Sequence, residues 1–291
     1  MPVYKTEAIV LRQQALGEAD RIVTLFTREY GKLRAAAKGI RRPASRLAGR
    51  LEPFTHARLL LARGRTLDVI AQAEIVEAFA GVRADLIRSA YAAYVAELVD
   101  RGLADRDPHQ EVFALTLDAL EALGRSREDD ADVAVLHFAL RLAGCLGYQP
   151  ETAACVECGR RLPRARGAAE AWAFSPARGG ALCPACRRED AEAVPVAPGL
   201  LAAFDHLIRT SGPESSRLRM TPVQRGDLAR LVQLHLEHRW EARLRAPLVI
   251  KRLREPVRTP LKDHGGSDGA IAEGRVRVAR LADAAEGSRR G

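Results

Sequence analysis

Short apolar or alternating runs dominate the first eighty positions: Ala8-Ile9-Val10-Leu11, Ile22-Val23-Thr24-Leu25-Phe26, Arg58-Leu59-Leu60-Leu61 and Leu67-Asp68-Val69-Ile70. Runs of this length, separated by Leu16-Gly17-Glu18-Ala19-Asp20, Tyr30-Gly31 and Ala62-Arg63-Gly64-Arg65, read as strands joined by tight turns. About five strands fit, the size of a small closed barrel, and both an oligonucleotide-binding (OB) barrel and an SH3-like barrel satisfy the count. After Gly81 the period lengthens. Leu86, Ile87, Ala90, Tyr91, Tyr94, Val95, Leu98 and Val99 mark one helical face; Val112, Phe113, Leu117, Leu120 and Leu123 mark a second. Val133, Leu136, Leu140 and Ala143 mark a third, stopping at Gly144, Gly147 and Pro150. Leu200 to Ile208 is helical in pattern, and Thr221-Pro222-Val223-Gln224 opens a last helix, to about Trp240, as a capping box with proline at its first position.

These patterns predict an α+β multidomain chain. Residues 1–80 form the five-stranded barrel, 81–150 and 195–254 a helical bundle, 151–194 a cysteine-bearing insert, and 255–291, where periodicity is lost among Pro and Gly, a disordered tail. The 291 residues, 47% hydrophobic and 29% charged, suffice for about two domains. No stretch reaches the roughly 18 apolar residues of a membrane span, and Met1 is not followed by a signal-peptide core, so a cytoplasmic protein is expected.

The formal charge is +9. From Lys32 to Arg65 the chain holds Lys32, Arg34, Lys38, Arg41, Arg42, Arg46, Arg50, Arg58, Arg63 and Arg65 against Glu52 alone, so this window carries the whole excess. Concentrated cations are what a polyanion-binding surface requires, because field strength follows local density. Lys32, Arg34, Lys38, Arg41, Arg42, Arg46 and Arg50 are therefore the candidate DNA-binding residues.

Cys155-Val156-Glu157-Cys158 and Cys183-Pro184-Ala185-Cys186 form two Cys-x-x-Cys pairs. A two-residue gap lets both thiolates of one turn reach the same ion, and two such knuckles complete a tetrahedral Zn2+ site. Four thiolates close that shell and leave no position for water, so the zinc is expected to be structural. A nucleobase deaminase would need His-x-Glu upstream, and neither His109 nor His137 has Glu two residues on. Cys145, in an apolar helical stretch, reads as a buried spectator. Arg160, Arg161, Arg164 and Arg166 follow the first knuckle and are read as a solvated face or, less simply, a second DNA contact.

No Gly-x-x-x-x-Gly-Lys-Ser/Thr and no Gly-x-Gly-x-x-Gly after a strand is present, which argues against nucleotide-driven work. His235-Leu236-Glu237-His238 lacks zinc-protease spacing, Ser211, Ser215 and Ser216 stand in a Gly/Pro loop, and Glu18 and Asp20 sit in a turn. No catalytic site is expected.

Gly17-Glu18-Ala19-Asp20-Arg21-Ile22-Val23-Thr24-Leu25-Phe26-Thr27, then Gly31-Lys32-Leu33, Ala37-Lys38-Gly39-Ile40-Arg41-Arg42-Pro43, Leu51-Glu52-Pro53-Phe54 and Arg63-Gly64-Arg65-Thr66-Leu67 resemble the start of the bacterial RecO family. The resemblance covers roughly residues 1 to 254. It implies an OB barrel, a helical domain and a zinc module in a recombination mediator that binds single- and double-stranded DNA and anneals strands without ATP. It also implies partners: RecR, the single-strand-binding protein (SSB) and the recombinase RecA, which such proteins help load on SSB-coated strands. The competing readings are a zinc-ribbon adaptor that binds protein and not DNA, and a metal nuclease, for which no carboxylate constellation is visible.

Overall fold

A computed structural model describes residues 2–126, 130–163, 171–210 and 220–255. The expected tail from 256 on, Arg164, Arg166 and the Ser211 to Ser216 loop lie outside them. Strands β1 (Val3–Leu16), β2 (Asp20–Thr27), β3 (Gly31–Ala37), β4 (His56–Ala62) and β5 (Asp68–Glu77) close into a barrel of order β1-β2-β3-β5-β4. β1 serves both walls: its first half pairs antiparallel with β4 and its second with β2, and a register shift between Val10 and Arg12 turns the strand from one to the other. The parallel contact of β3 with β5, Ala35 opposite Asp68 and Ala36 opposite Val69, closes the ring.

Alternation sorts the side chains. Ala8, Val10, Val23, Leu25, Leu33, Ala35, Ala37, Ala57, Leu59, Leu61, Ile70 and Ala73 fill the interior, where frequent alanine suits so narrow a barrel. Ile9, Leu11 and Phe26 point the other way and join the core of the helical bundle, with Phe26 and His56 packing on Phe113 at ring-centroid distances of 5.6 and 5.8 Å.

A short turn, α1 (Ala80–Arg83), leads into α2 (Leu86–Gly102), α3 (Gln110–Arg125) and α4 (Ala131–Cys145). Asp85 caps α2 by accepting from the Arg88 amide at 2.7 Å. The cysteine-bearing segment adds a three-stranded sheet of β6 (Trp172–Ser175), β7 (Gly180–Leu182) and β8 (Val194–Val196), ordered β7-β6-β8. Helices α5 (Pro198–Arg209), α6 (Pro222–Trp240) and α7 (Ala246–Arg254) complete the bundle. Both reciprocal bonds of the capping box read at Thr221 form, at 2.9 and 3.2 Å. The N-terminus of α7 is capped from a distance: the Glu97 carboxylate accepts from the Arg245 and Ala246 amides at 2.8 and 2.7 Å. Among the described residues no helix is long and apolar enough to cross a membrane.

The barrel is fastened to the bundle at β3. The α2–α3 connection runs beside it, with the Arg106 amide donating to the Lys32 carbonyl at 2.7 Å. Gly31 has φ +65°, and a Cβ there would collide with the Asp107 backbone, so glycine is required both by conformation and by proximity. Beneath this contact Asp68, 1% exposed, accepts from Tyr4 at 2.5 Å, from the Gly64 amide at 3.1 Å and from Arg106 at 3.1 Å. Burial works against its charged form, but the hydrogen bonds from Tyr4, Gly64 and Arg106 prevail and hold the carboxyl below its ordinary range.

Candidate nucleic-acid interface and metal centre

The segment between β3 and β4 is long and strongly basic, yet it is tied down. Ile40, Leu47 and Leu51 turn inward and join the barrel core, so residues 38–55 plug one end of the barrel. The Gly39 amide donates to the Asp20 carboxylate at 2.7 Å and the Arg41 amide to the Ala19 carbonyl at 3.0 Å, anchoring the plug to the β1–β2 turn. At its far end, Phe54 and Val10 are joined by a 2.7 Å backbone bond, and the Gln13 side-chain amide donates to the Leu51 carbonyl. Asp20, read from sequence only as a turn residue, is thus a support of the basic surface; the signal was its position at the start of β2.

With the apolar side chains inward, the cations go outward. Lys38, Arg41, Arg42, Arg46 and Arg50 are all exposed, and among the described residues none forms an ion pair. Arg50 donates to the Ala73 carbonyl at 3.0 Å. Arg46 and Arg50 open onto a groove of about 770 Å3 over the outer face of β1, β4 and β5, which also holds Lys5, Arg28 and Arg58. There Glu7 pairs with Arg28 at 3.5 Å and Arg58 at 3.3 Å, and Glu29 and Glu74 line the same groove. Arg34 stands apart on the outer face of β3, exposed and, among the described residues, without an ion pair.

Lys32 corrects the sequence reading. Strand period places it on the same outer face as Arg34, but the α2–α3 connection covers it, leaving it 9% exposed. Its ammonium donates to the Asp100 carbonyl and lies 3.4 Å from the carboxylates of both Asp100 and Asp105. A cation so compensated belongs to the barrel–bundle joint.

The second cluster is the four cysteines. The sulfurs of Cys155, Cys158, Cys183 and Cys186 all lie within 4.8 Å of one another, with Cys158 and Cys183 3.7 Å apart. A tetrahedral metal with bonds of ~2.3 Å puts sulfurs roughly 3.8 Å apart, so this donor set could hold one ion. Each knuckle is closed by its backbone: Gly159 N–H donates to the Cys155 carbonyl at 2.9 Å and Arg187 N–H to the Cys183 carbonyl at 3.0 Å. Burial opposes ionisation of Cys155, but the amides of Cys158, Cys183 and Glu157 outweigh it and lower its pKa. Backbone amides, Cys186's first, lower Cys183 likewise. Hydrogen bonds with Cys183 and Cys158 push Cys186 up.

Cys155 and Cys183, 2% and 1% exposed, are part of the bundle core together with fully buried Trp172 and Phe174. Phe174 stacks on Phe204 at 5.5 Å and meets His235 edge-on at 5.9 Å. His235, whose Nε2 donates to the Tyr148 carbonyl at 2.7 Å, is therefore a packing residue, while His238 is exposed. Cys145 is half-buried. Arg161 is exposed beside the first knuckle.

A closed barrel of OB type with a cationic plug, seated on a helical bundle that carries a four-cysteine cluster, defines the class of the protein. The family model "Recombination protein O N terminal" matches residues 1–79, and "Recombination protein O C terminal" matches residues 83–247. Similar proteins include the DNA repair protein RecO of Heliobacterium modesticaldum, 38% identical over 252 residues that cover 86% of this chain and 90% of the relative. The DNA repair protein RecO of Symbiobacterium thermophilum is 35% identical over 87% of this chain and 99% of its own length. That of Bifidobacterium adolescentis is 41% identical over 67% of this chain and 78% of its own. The chain belongs to the RecO family, and its role lies in DNA repair.

Proposed function

We propose that this protein is a cytoplasmic, nucleoid-associated recombination mediator that grips single- and double-stranded DNA through its barrel plug and anneals complementary strands without ATP. It helps load recombinase on SSB-coated single strands, with RecR and SSB as its partners. The observation that carries this reading is the array of Lys38, Arg41, Arg42, Arg46 and Arg50, exposed, without an ion pair among the described residues, and held on a segment whose apolar side chains are locked in the barrel.

Cations fixed in this way replace condensed counterions along a phosphate backbone, so affinity is sequence-tolerant and falls with salt. Two strands whose phosphates are neutralised on one surface repel each other less, a route to annealing that consumes no fuel. The test is binding of wild type and the K38A/R41A/R42A variant to single-stranded DNA across a salt series. The variant's log K against log salt slope is expected to flatten by up to about 2, at ~0.7 per lost phosphate contact. An unchanged slope rejects the plug as the DNA site, and SSB capture without DNA binding by wild type supports a protein adaptor instead.

The four cysteines hold one structural Zn2+ in this reading. The ion would neutralise four crowded thiolates inside the bundle core and, with its shell closed, supplies no chemistry to a substrate. One zinc per chain, lost in a C155S/C183S variant, is the expected metal content.

A further inference from the structure

The two cysteine knuckles do not present their sulfurs equally. Each gives one residue to the bundle core and holds the other farther out: Cys155 and Cys183 are buried, Cys186 is partly covered, and Cys158 is exposed. Gly159 follows Cys158 at φ +72°, and a Cβ there would meet no atom within 4 Å, so the chain leaves open solvent beside the exposed thiol. The Cys158 sulfur lies 3.7 Å from that of Cys183, which belongs to the other knuckle and to the core that holds Trp172 and Phe174. An outward sulfur thus sits against an inward one across the cluster, and the outward one meets solutes first.

We infer that Cys158 is an oxidation site for peroxides, through which the four-cysteine cluster is opened and the helical bundle loosened. This rests on the reading of the cluster as a zinc site. Access and thiolate character decide which sulfur a peroxide attacks, and a metal-ligating cysteine is a thiolate. The Cys158 sulfur displaces hydroxide from the peroxide: the O–O bond breaks, sulfur loses two electrons and a sulfenic acid forms. The Cys183 thiolate then attacks that sulfur, the S–S bond forms and a second hydroxide leaves. Two protons from solvent turn the hydroxides into water, so two thiolates and one hydrogen peroxide become one disulfide and two waters. Cys155 and Cys186 alone cannot supply the four-sulfur shell, and Zn2+ is lost to solvent. Because Cys183 packs in the bundle core, the new bond disturbs that core, whereas the plug is seated in the barrel core. Thiols reduce both sulfenic acid and disulfide, so reductant and Zn2+ restore the cluster.

The test uses the full chain, loaded with zinc, in a C145S background where the four cluster sulfurs are the only thiols. Zinc content is measured first; hydrogen peroxide is then added, released Zn2+ is followed with a chromophoric chelator, and disulfides are mapped by mass spectrometry. The C145S parent is expected to release its zinc, form the Cys158–Cys183 bond and lose thermal midpoint, with the DNA salt slope unchanged. Adding C158H gives the metal a ring nitrogen and the peroxide no sulfur, so zinc should be retained and released about tenfold more slowly. Adding C186H instead keeps Cys158 and should release zinc as the parent does. If C158H fails to hold zinc, dimedone trapping on the parent decides: label on Cys158 supports the site, and first label on another cysteine overturns it. No release on peroxide, equal release from C158H and parent, or a disulfide other than Cys158–Cys183 overturns the oxidation site and leaves the zinc reading intact. A parent that holds no zinc before peroxide is added fails both.

Discussion

Replacing Leu51 by alanine separates the charge of the plug from its rigidity. Leu51 is fully buried with Ile40 and Leu47 in the barrel end, and its carbonyl also receives the Gln13 side chain. Truncating a buried leucine removes its transfer free energy and leaves a cavity, costing about 2.7–5 kcal/mol. Relaxation beside a turn-rich segment puts this site near the lower end, about 3 kcal/mol. That loss falls on the segment holding Lys38, Arg41, Arg42, Arg46 and Arg50, none of which changes. Every phosphate contact remains available, so the salt slope should stay at its wild-type value. Affinity should nonetheless fall about tenfold, equivalent to about 1.4 kcal/mol, because DNA must now order a loosened segment at roughly 1–2 kcal/mol per residue fixed. Anisotropy titrations over a salt series give slope and intercept together, and hydrogen exchange at residues 38–50 reports the loosening directly. Unchanged affinity despite faster exchange would refute the reasoning, since the cations would then work as well on a slack tether as on a fixed plug.

Lys32→Ala should lower the thermal midpoint, because it removes the bond to the Asp100 carbonyl and the ion pairs with Asp100 and Asp105 under the α2–α3 connection, while leaving the DNA salt slope as in wild type. Asp68→Asn should destabilise by about 2 kcal/mol, less than the 3–5 of a fully buried pair because its partner Arg106 is half exposed. Because the folded state depresses the Asp68 pKa, its contribution is fully present above the unfolded value near ~4 and is lost as pH falls through the lower folded value. D68N should therefore narrow the gap to wild type on acidification, read from urea midpoints at pH 7 and 3. Stripping the cysteine cluster with a chelator should lower the thermal midpoint and shift the fluorescence of buried Trp172 toward that of a hydrated indole, with DNA binding at the plug retained below the new midpoint.

Much of this architecture is legible in the chain because local and global signals agree. The alternation in β1, β2, β4 and β5, the helical faces of α2 to α4, the Thr221 capping box and the two Cys-x-x-Cys pairs each carry their own mechanism. The gaps are equally physical. β3, Gly31–Ala37, went unnamed as an apolar run because a narrow barrel wants Ala35 and Ala37 at its inward positions, and alanine carries little strand signal. α7 carries little signal of its own because it is nine residues long, and a short apolar run such as Leu248-Val249-Ile250 fits helix and strand alike. The burial of Lys32 could not be read from strand period, which places it beside Arg34; what separates them is a loop arriving from residues 103–109.

The sharing of Ile9, Leu11 and Phe26 between barrel wall and helical core has a practical corollary for dissecting the protein. A fragment ending near residue 80 would keep all five strands but lose the cover of those three side chains, the carboxylates that neutralise Lys32 and the guanidinium that holds Asp68. It would present a greasy flank and two orphaned charges to water, so it should self-associate before it reports on DNA. The barrel half is not a transplantable cartridge, and grafts or truncations in this chain should be cut after α7 rather than at the end of the barrel.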